Sequence, residues 1–226
     1  VGHVRGVRRL LGAAQAELAA ITAGDRGTIR VGTVQSIGTR VLPQLLSRFH
    51  ELRPGVAVVL RESHDVHVLL DAVADGELDV TFTEIGPEAR FQYRRMLDDP
   101  FVLVAPAGSD VAGLASVTIG EITTLPLIGY RDAVCSTVVE QIFQPGDDPR
   151  FVFRSDDNPT IQGCVASGIG YWATPLLTVD TDDPAVAIVP IEPAPDPRHI
   201  ALAWPANRRP SPAVAEFVDA AAAVCR

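Results

Sequence analysis

The sequence predicts an α/β fold of two Rossmann-like lobes joined by two crossover strands. Short apolar strands alternate with helix-period segments from Gly27 to Phe82, the pattern of a βαβ unit. The same grammar restarts at Leu127, after the apolar strand Phe101–Ala105. The last strand, His199–Trp204, then returns the chain to the first lobe, so that it crosses twice, near Val104 and Ile200. The expected boundaries are 25–104 with 200–226 for one lobe and 105–199 for the other, with residues 1–24 a helical lead-in.

Residues Val4 to Ile21 carry a helical stripe of Val4, Val7, Leu10, Leu11, Ala14, Leu18 and Ile21, ended by Gly24, Asp25 and Gly27. A stripe so apolar needs cover, from its own domain or from a second copy. In the first strand Ile29, Val31 and Thr33 alternate with Thr28, Arg30 and Gly32. The loop Gln35–Gly38 follows, with Ser36 expected to cap a helix N-terminus and to suit a small polar or anionic ligand. A helix then places Val41, Leu42, Leu45, Leu46, Phe49 and Leu52 on one face, and Arg53-Pro54-Gly55 stops it. The run Val56–Leu60 reads as a more buried strand, Asp65–Ala74 as a helix and Leu78–Phe82 as a third strand. Beyond Phe101–Ala105, strands are expected at Leu127–Tyr130, Phe151–Ser155 and Val186–Val189. Helices are expected at Ser136–Phe143 and Thr160–Ser167, the latter closed by Gly168, and the chain ends in a helix over Pro212–Val224.

With 226 residues, 47% of them hydrophobic and 21% charged, the chain has ample material for such cores. Its net charge of -9 argues against a grip on nucleic acid by these residues themselves. No apolar run reaches the about 20 residues of a membrane span, and no secretory signal opens the chain. All 19 basic residues are arginine, a composition best explained by GC-rich codon usage. Cys135, Cys164 and Cys225 cannot all pair and lack metal-ligand spacing, which favours a reduced, cytoplasmic setting. The chain opens at Val1 without Met and is expected to be part of something longer.

Gly27-Thr-Ile-Arg-Val-Gly32, Leu42-Pro43, Phe49-His-Glu-Leu-Arg-Pro-Gly55, Leu69–Asp79 ending in Gly76-Glu-Leu-Asp, Gly168-Ile-Gly170 and Thr174-Pro175 occur in this order. Together they resemble the effector-binding domain of LysR-type transcriptional regulators, over nearly the whole chain. The resemblance implies a fold like the type 2 periplasmic-binding proteins, with a small-molecule effector in a crevice shared by the lobes. It also implies a homodimer or homotetramer, a lead-in that is the tail of a linker helix, and DNA contact only through an absent winged helix-turn-helix. Neither a cofactor nor a membrane partner is implied. By the same resemblance the effector would meet Gln35, Ser36, His64, Tyr130, Arg131, Asn158, Thr174 and Pro175. Some relatives that sense aromatic carboxylates carry a basic residue after the third strand. Here Glu84 stands there, which disfavours a bare carboxylate and leaves a zwitterion, an amine or a neutral polar ligand.

The other chemical signals have plainer readings. Asp98-Asp99, Asp147-Asp148 and Asp182-Asp183 are followed directly by proline and Asp156-Asp157 by Asn158-Pro159, so all four read as solvated turns rather than as acid–base or cation pairs. His64 and His67 lack a third convergent ligand, so no metal is expected. No nucleophile elbow, phosphate loop, dinucleotide fingerprint or zinc-protease motif occurs, and no catalytic residue is assigned. Two alternatives stay open: a solute-binding protein of a transport system, and a small lyase or dehydratase with His64 and Glu84 as its only titratable pair.

Overall fold

The computed structural model describes residues 26–131, 137 and 139–225. The helix expected over 4–21, Cys135 and the first residue of the helix expected at Ser136 lie outside them. The chain divides into two units, one of the residues up to Leu97 with Ile200–Arg226, the other of Asp98–His199.

In the first unit, β1 (Gly27–Thr33) runs parallel to β2 (Val56–Glu62) on one side, from Gly27 opposite Val56 to Thr33 opposite Glu62. On its other side lies β3 (Val80–Glu84), also parallel, with Gly32 opposite Thr81. β10 (Arg198–Pro205) pairs antiparallel with β3, and β4 (Phe91–Asp99) completes the order β2-β1-β3-β10-β4. Gly32 is required by close approach: a Cβ there would lie 2.3 Å from Thr81 Oγ1. The connection from β1 to β2 is α1 (Gln35–Arg40) and α2 (Leu42–Leu52), the latter burying Leu42, Leu45 and Phe49. Phe49 meets Phe217 of the closing helix α6 (Pro212–Val224) edge to face, with ring centres 5.2 Å apart. Ser211 caps α6 by accepting from Val214 N–H. α3 (Val66–Ala74), capped by Asp65, buries Leu69, Leu70 and Val73 against Leu78, Phe91 and Ala203.

β2 departs from the expected buried strand. It is the edge of its sheet, and Val59 is 53% exposed and Leu60 39%. A run of apolar residues is common to a central strand and to an edge waiting for cover; only the topology separates them. β4 was not anticipated as a strand, because Arg94-Arg95 interrupts its alternation.

In the second unit β5 (Phe101–Pro106) lies between β8 (Trp172–Pro175) and β9 (Val186–Pro190), antiparallel to both. β6 (Leu127–Gly129) runs parallel to β7 (Phe151–Arg154), and Leu127 also bridges to Tyr171 beside β8. Period-2 alternation sends Phe101, Leu103 and Ala105 into one core with Val117, Ile122 and Ile191. Val102 and Val104 enter the other, with Tyr130, Ile161, Val165 and Trp172. α4 (Ile119–Thr123) carries a reciprocal cap, in which Thr118 accepts from Glu121 N–H and Glu121 accepts from Thr118 N–H. α5 (Asn158–Ala166) is capped by Asp157 and followed by Gly168 at φ +76°, the left-handed turn that glycine permits.

Candidate functional site

The expected residues fall into one group in each unit. In the first unit the parallel strands β1, β2 and β3 end at Thr33, Glu62 and Glu84, so these ends share one sheet edge. Gln35 and Ser36 follow β1 directly. Ser36 is not a cap: Val34 occupies that position without a side-chain bond, and Ser36 sits inside the first turn, 5% exposed. With Thr33 and Thr83, it lines this edge with buried hydroxyls. His64 lies past the end of β2, in the exposed turn before Asp65. Glu84 closes β3 half-buried, opposite Ile200, and joins no ion pair among the described residues.

In the second unit the structure draws together Tyr130, Asn158 and Thr174. Tyr130 follows β6, Asn158 opens α5 and Thr174 lies in β8; all three are buried. Tyr130 Oη donates to Asn158 Oδ1 at 2.8 Å and lies 3.5 Å from Thr174 Oγ1. Thr174 and Thr178 hydroxyls are 2.9 Å apart, and Thr178 Oγ1 donates to Pro175 O at 2.6 Å. Thr178 Oγ1 donates to Pro175 O, which makes Thr174 Oγ1 the donor to Thr178. Trp172, one face-repeat before Thr174, packs edge to face on Tyr130 at 6.1 Å, and its buried Nε1–H has no protein partner among the described residues.

Arg131 behaves differently. Its backbone N–H and Nε reach Asp156 at 2.9 and 3.0 Å, and its side chain is 79% exposed. The guanidinium is engaged by its own unit's carboxylate. Arg154 is likewise held by Glu140 at 2.9 Å and by Tyr130 O at 2.6 Å.

The acidic doublets need correction in part. Asp147 accepts from Gln144 N–H in a turn, as expected. Asp99, expected to be solvated, is 1% exposed and accepts from Arg198 Nε at 3.2 Å, from Arg198 Nη2 and from Leu177 N–H at 2.9 Å. Asp98 meets His199 Nδ1 at 2.9 Å. Local Asp-Asp-Pro chemistry hides a partner 99 residues away. Thr178 was also missed; its spacing of four from Thr174 is the one sequence signal that pointed to it.

A groove of about 450 Å³ between α2 and α6 is lined by Arg48, Leu52, Arg53, Glu216 and Asp219, with Arg53 paired to Glu216; it contains none of the residues above. No group of three His, Cys, Asp or Glu side chains among the described residues is arranged to hold a metal. No helix among them is long and apolar enough to cross a membrane.

The sequence model of the LysR substrate binding domain matches residues 22–226. The chain belongs to this LysR family. An uncharacterized HTH-type transcriptional regulator of Bacillus subtilis, YybE, is 26% identical over 206 residues, covering 89% of this chain and 69% of that protein. The chain spans about half to just over two thirds of the length of the curated relatives it matches. Among solved structures, the reduced OxyR regulatory domain of Pseudomonas aeruginosa aligns with a TM-score of 0.76 at 24% identity, covering 88% of this chain and 99% of that one. The Synechocystis CcmR regulatory domain in complex with 2-PG aligns with a TM-score of 0.78 at 22% identity, covering 89% and 98%. The LysR regulatory-domain fold, the α/β class of type 2 periplasmic-binding proteins, is thus the fold of this chain.

Proposed function

We propose that this chain is the effector-sensing part of a LysR-type transcriptional regulator, which binds a small molecule and converts nothing. The observation that carries the reading is the buried Tyr130–Asn158–Thr174 cluster in a chain of this family. Buried polar side chains are costly unless they are hydrogen-bonded, and here Thr174 Oγ1, whose hydrogen goes to Thr178, keeps acceptor capacity. A ligand hydroxyl or ammonium would donate to that oxygen. Glu84, which joins no ion pair among the described residues, and the engaged Arg131 and Arg154 point the same way, to an amine-bearing or neutral polar effector rather than a bare carboxylate. Gln35, Ser36, His64, Arg131 and Pro175 complete the proposed contacts. The similar Synechocystis domain in complex with 2-PG supports a small molecule as the class of occupant.

Binding would act on DNA through a reader domain elsewhere in the regulator, by favouring one of two arrangements of the protein. Family membership favours this over solute transport or lyase chemistry, and a cytoplasmic location follows from the same reading. Association of copies is proposed through the exposed apolar edges, Val59 and Leu60 of β2 and Val152 and Phe153 of β7.

The test is a thermal-shift screen of amines, polyols, amino acids and carboxylates, with calorimetry on each compound that stabilises the protein. A ligand at 100 times its Kd raises stability by about 2.7 kcal/mol. Tyr130→Phe and Asn158→Ala are expected to weaken binding roughly tenfold or more, with the compound recovered unaltered. Unchanged affinity in both variants, or turnover of the compound, refutes the reading.

A further inference from the structure

A continuous polar chain leads from the proposed ligand cluster to the two places where the polypeptide passes from one unit to the other. It begins with Tyr130 and Thr174, whose hydroxyl donates to Thr178. Thr178 ends the short 3-10 turn Leu176–Thr178 and ties it to Pro175 O. The same turn is fastened from its other side. Leu176 N–H donates to Pro100 O at 2.9 Å, and Leu177 N–H donates to Asp99 Oδ1 at 2.9 Å. The second oxygen of Asp99 takes the guanidinium of Arg198, whose side chain is 10% exposed against 0% for the carboxylate. Asp99 stands at the end of β4 and Arg198 at the start of β10, beside the unit boundaries at Leu97/Asp98 and His199/Ile200.

We propose that Asp99 and Thr178 are positioning residues of the ligand site, and that the Leu176–Thr178 turn relays occupancy at Thr174 to the Asp99–Arg198 pair. This rests on the reading that Thr174 belongs to the effector site. A donor that binds Thr174 Oγ1 polarises the hydroxyl and strengthens its own donation to Thr178, since successive hydrogen bonds reinforce one another. Thr178 then holds the turn more tightly, and the turn presents its Leu177 N–H to Asp99. Asp99 is a buried carboxylate that holds both the turn and β10. A shift of that turn alters the geometry of a desolvated ion pair, an interaction that tolerates little displacement. The acidic doublet that reads locally as a turn thereby becomes the receiving end of the relay.

The test needs no ligand. Hydrogen exchange of Leu177 N–H and Arg198 Nε–H is measured by NMR in the whole chain and in its Thr178→Val and Thr178→Ser variants. Valine keeps the shape and removes the hydroxyl; serine keeps the hydroxyl. In Thr178→Val both hydrogens are expected to exchange about tenfold faster, the effect of one lost hydrogen bond. Thr178→Ser is expected to restore slow exchange, with Val189 N–H of β9 unaffected in both. Unchanged exchange at Arg198 Nε–H in Thr178→Val overturns the relay. So does uniform acceleration that includes Val189, and so does failure of serine to rescue. Thr174→Val is the second variant, should Thr178→Val not fold: it removes the donor to Thr178 and is expected to loosen the same two hydrogens. The outcome is separable from the ligand reading. Coupling at Arg198 with binding that ignores Tyr130→Phe would keep the relay and remove the effector site; the reverse pair of results would keep the site and remove the relay.

Discussion

Replacing Asp99 measures how strongly the two segments β4 and β10 are pinned at the unit boundary. The carboxylate is 1% exposed and accepts two guanidinium N–H groups and one backbone N–H. Removing one member of a buried pair costs about 3–5 kcal/mol, because the other charge stays desolvated. Asp99→Asn keeps an oxygen for Leu177 N–H but turns an uncharged amide toward Arg198, so the lower end, about 3 kcal/mol, is expected. Asp99→Ala removes every acceptor and is expected near 5 kcal/mol. Asp99→Ala with Arg198→Met removes the stranded charge as well. That double variant is expected to be about 2–3 kcal/mol more stable than the sum of the single effects. Arg61→Ala is the control: the Arg61–Glu77 pair is 45% and 63% exposed and is worth about 0–1 kcal/mol. Urea unfolding is followed by Trp172 fluorescence in a Trp204→Phe background, which reports the second unit. For a chain of this size, Asp99→Asn is expected to lower Tm by roughly 6–12 °C. A loss within about 1 kcal/mol for both single variants, or strict additivity in the double, refutes the account of a desolvated, mutually dependent pair.

Three further outcomes follow from particular residues. Thr118 N–H and its hydroxyl hold the Glu121 carboxyl below the ordinary glutamate range. The cap's ionic contribution is therefore complete above the ordinary glutamate pKa and is lost as pH falls through the lowered value; a carboxyl NMR titration with an ordinary midpoint contradicts it. Gly32→Ala places a Cβ 2.3 Å from Thr81 Oγ1 between β1 and β3 and is expected to cost about 1–3 kcal/mol in thermal unfolding; a neutral result would mean that these strands separate freely. Burial pushes the Cys225 thiol up, so less of it is thiolate at mildly alkaline pH. Alkylation resolved by mass spectrometry is expected to be slower at Cys225 than for free cysteine, and an equal rate contradicts this.

What could be read from the sequence was what local chemistry decides. The closing helix was anticipated over Pro212–Val224 because an apolar period follows Ser-Pro, and the structure shows the helix over those residues with Ser211 as its cap. Gly168 was legible because the apolar period of α5 stops there, and it does take the left-handed turn. Long-range placement was not legible. Val56–Leu60 carries the same residues whether it is central or at an edge, and β4 is a strand because β10 pairs with it from more than a hundred residues away. Asp99 is the sharpest case: nothing near it in sequence announces Arg198. Tyr130, Asn158 and Thr174 came from the family resemblance, while the direction of their hydrogen bonds and the role of Thr178 needed coordinates.

The most direct measurement is a ¹⁵N–¹H and methyl NMR titration with each compound that stabilises the protein. A sensing site at the buried hydroxyls predicts that an amine or polyol shifts the Asn158 side-chain amide and the Thr174 methyl first and most strongly. A compound that binds stoichiometrically while leaving both resonances in place, and moving those of the α2–α6 groove instead, contradicts it.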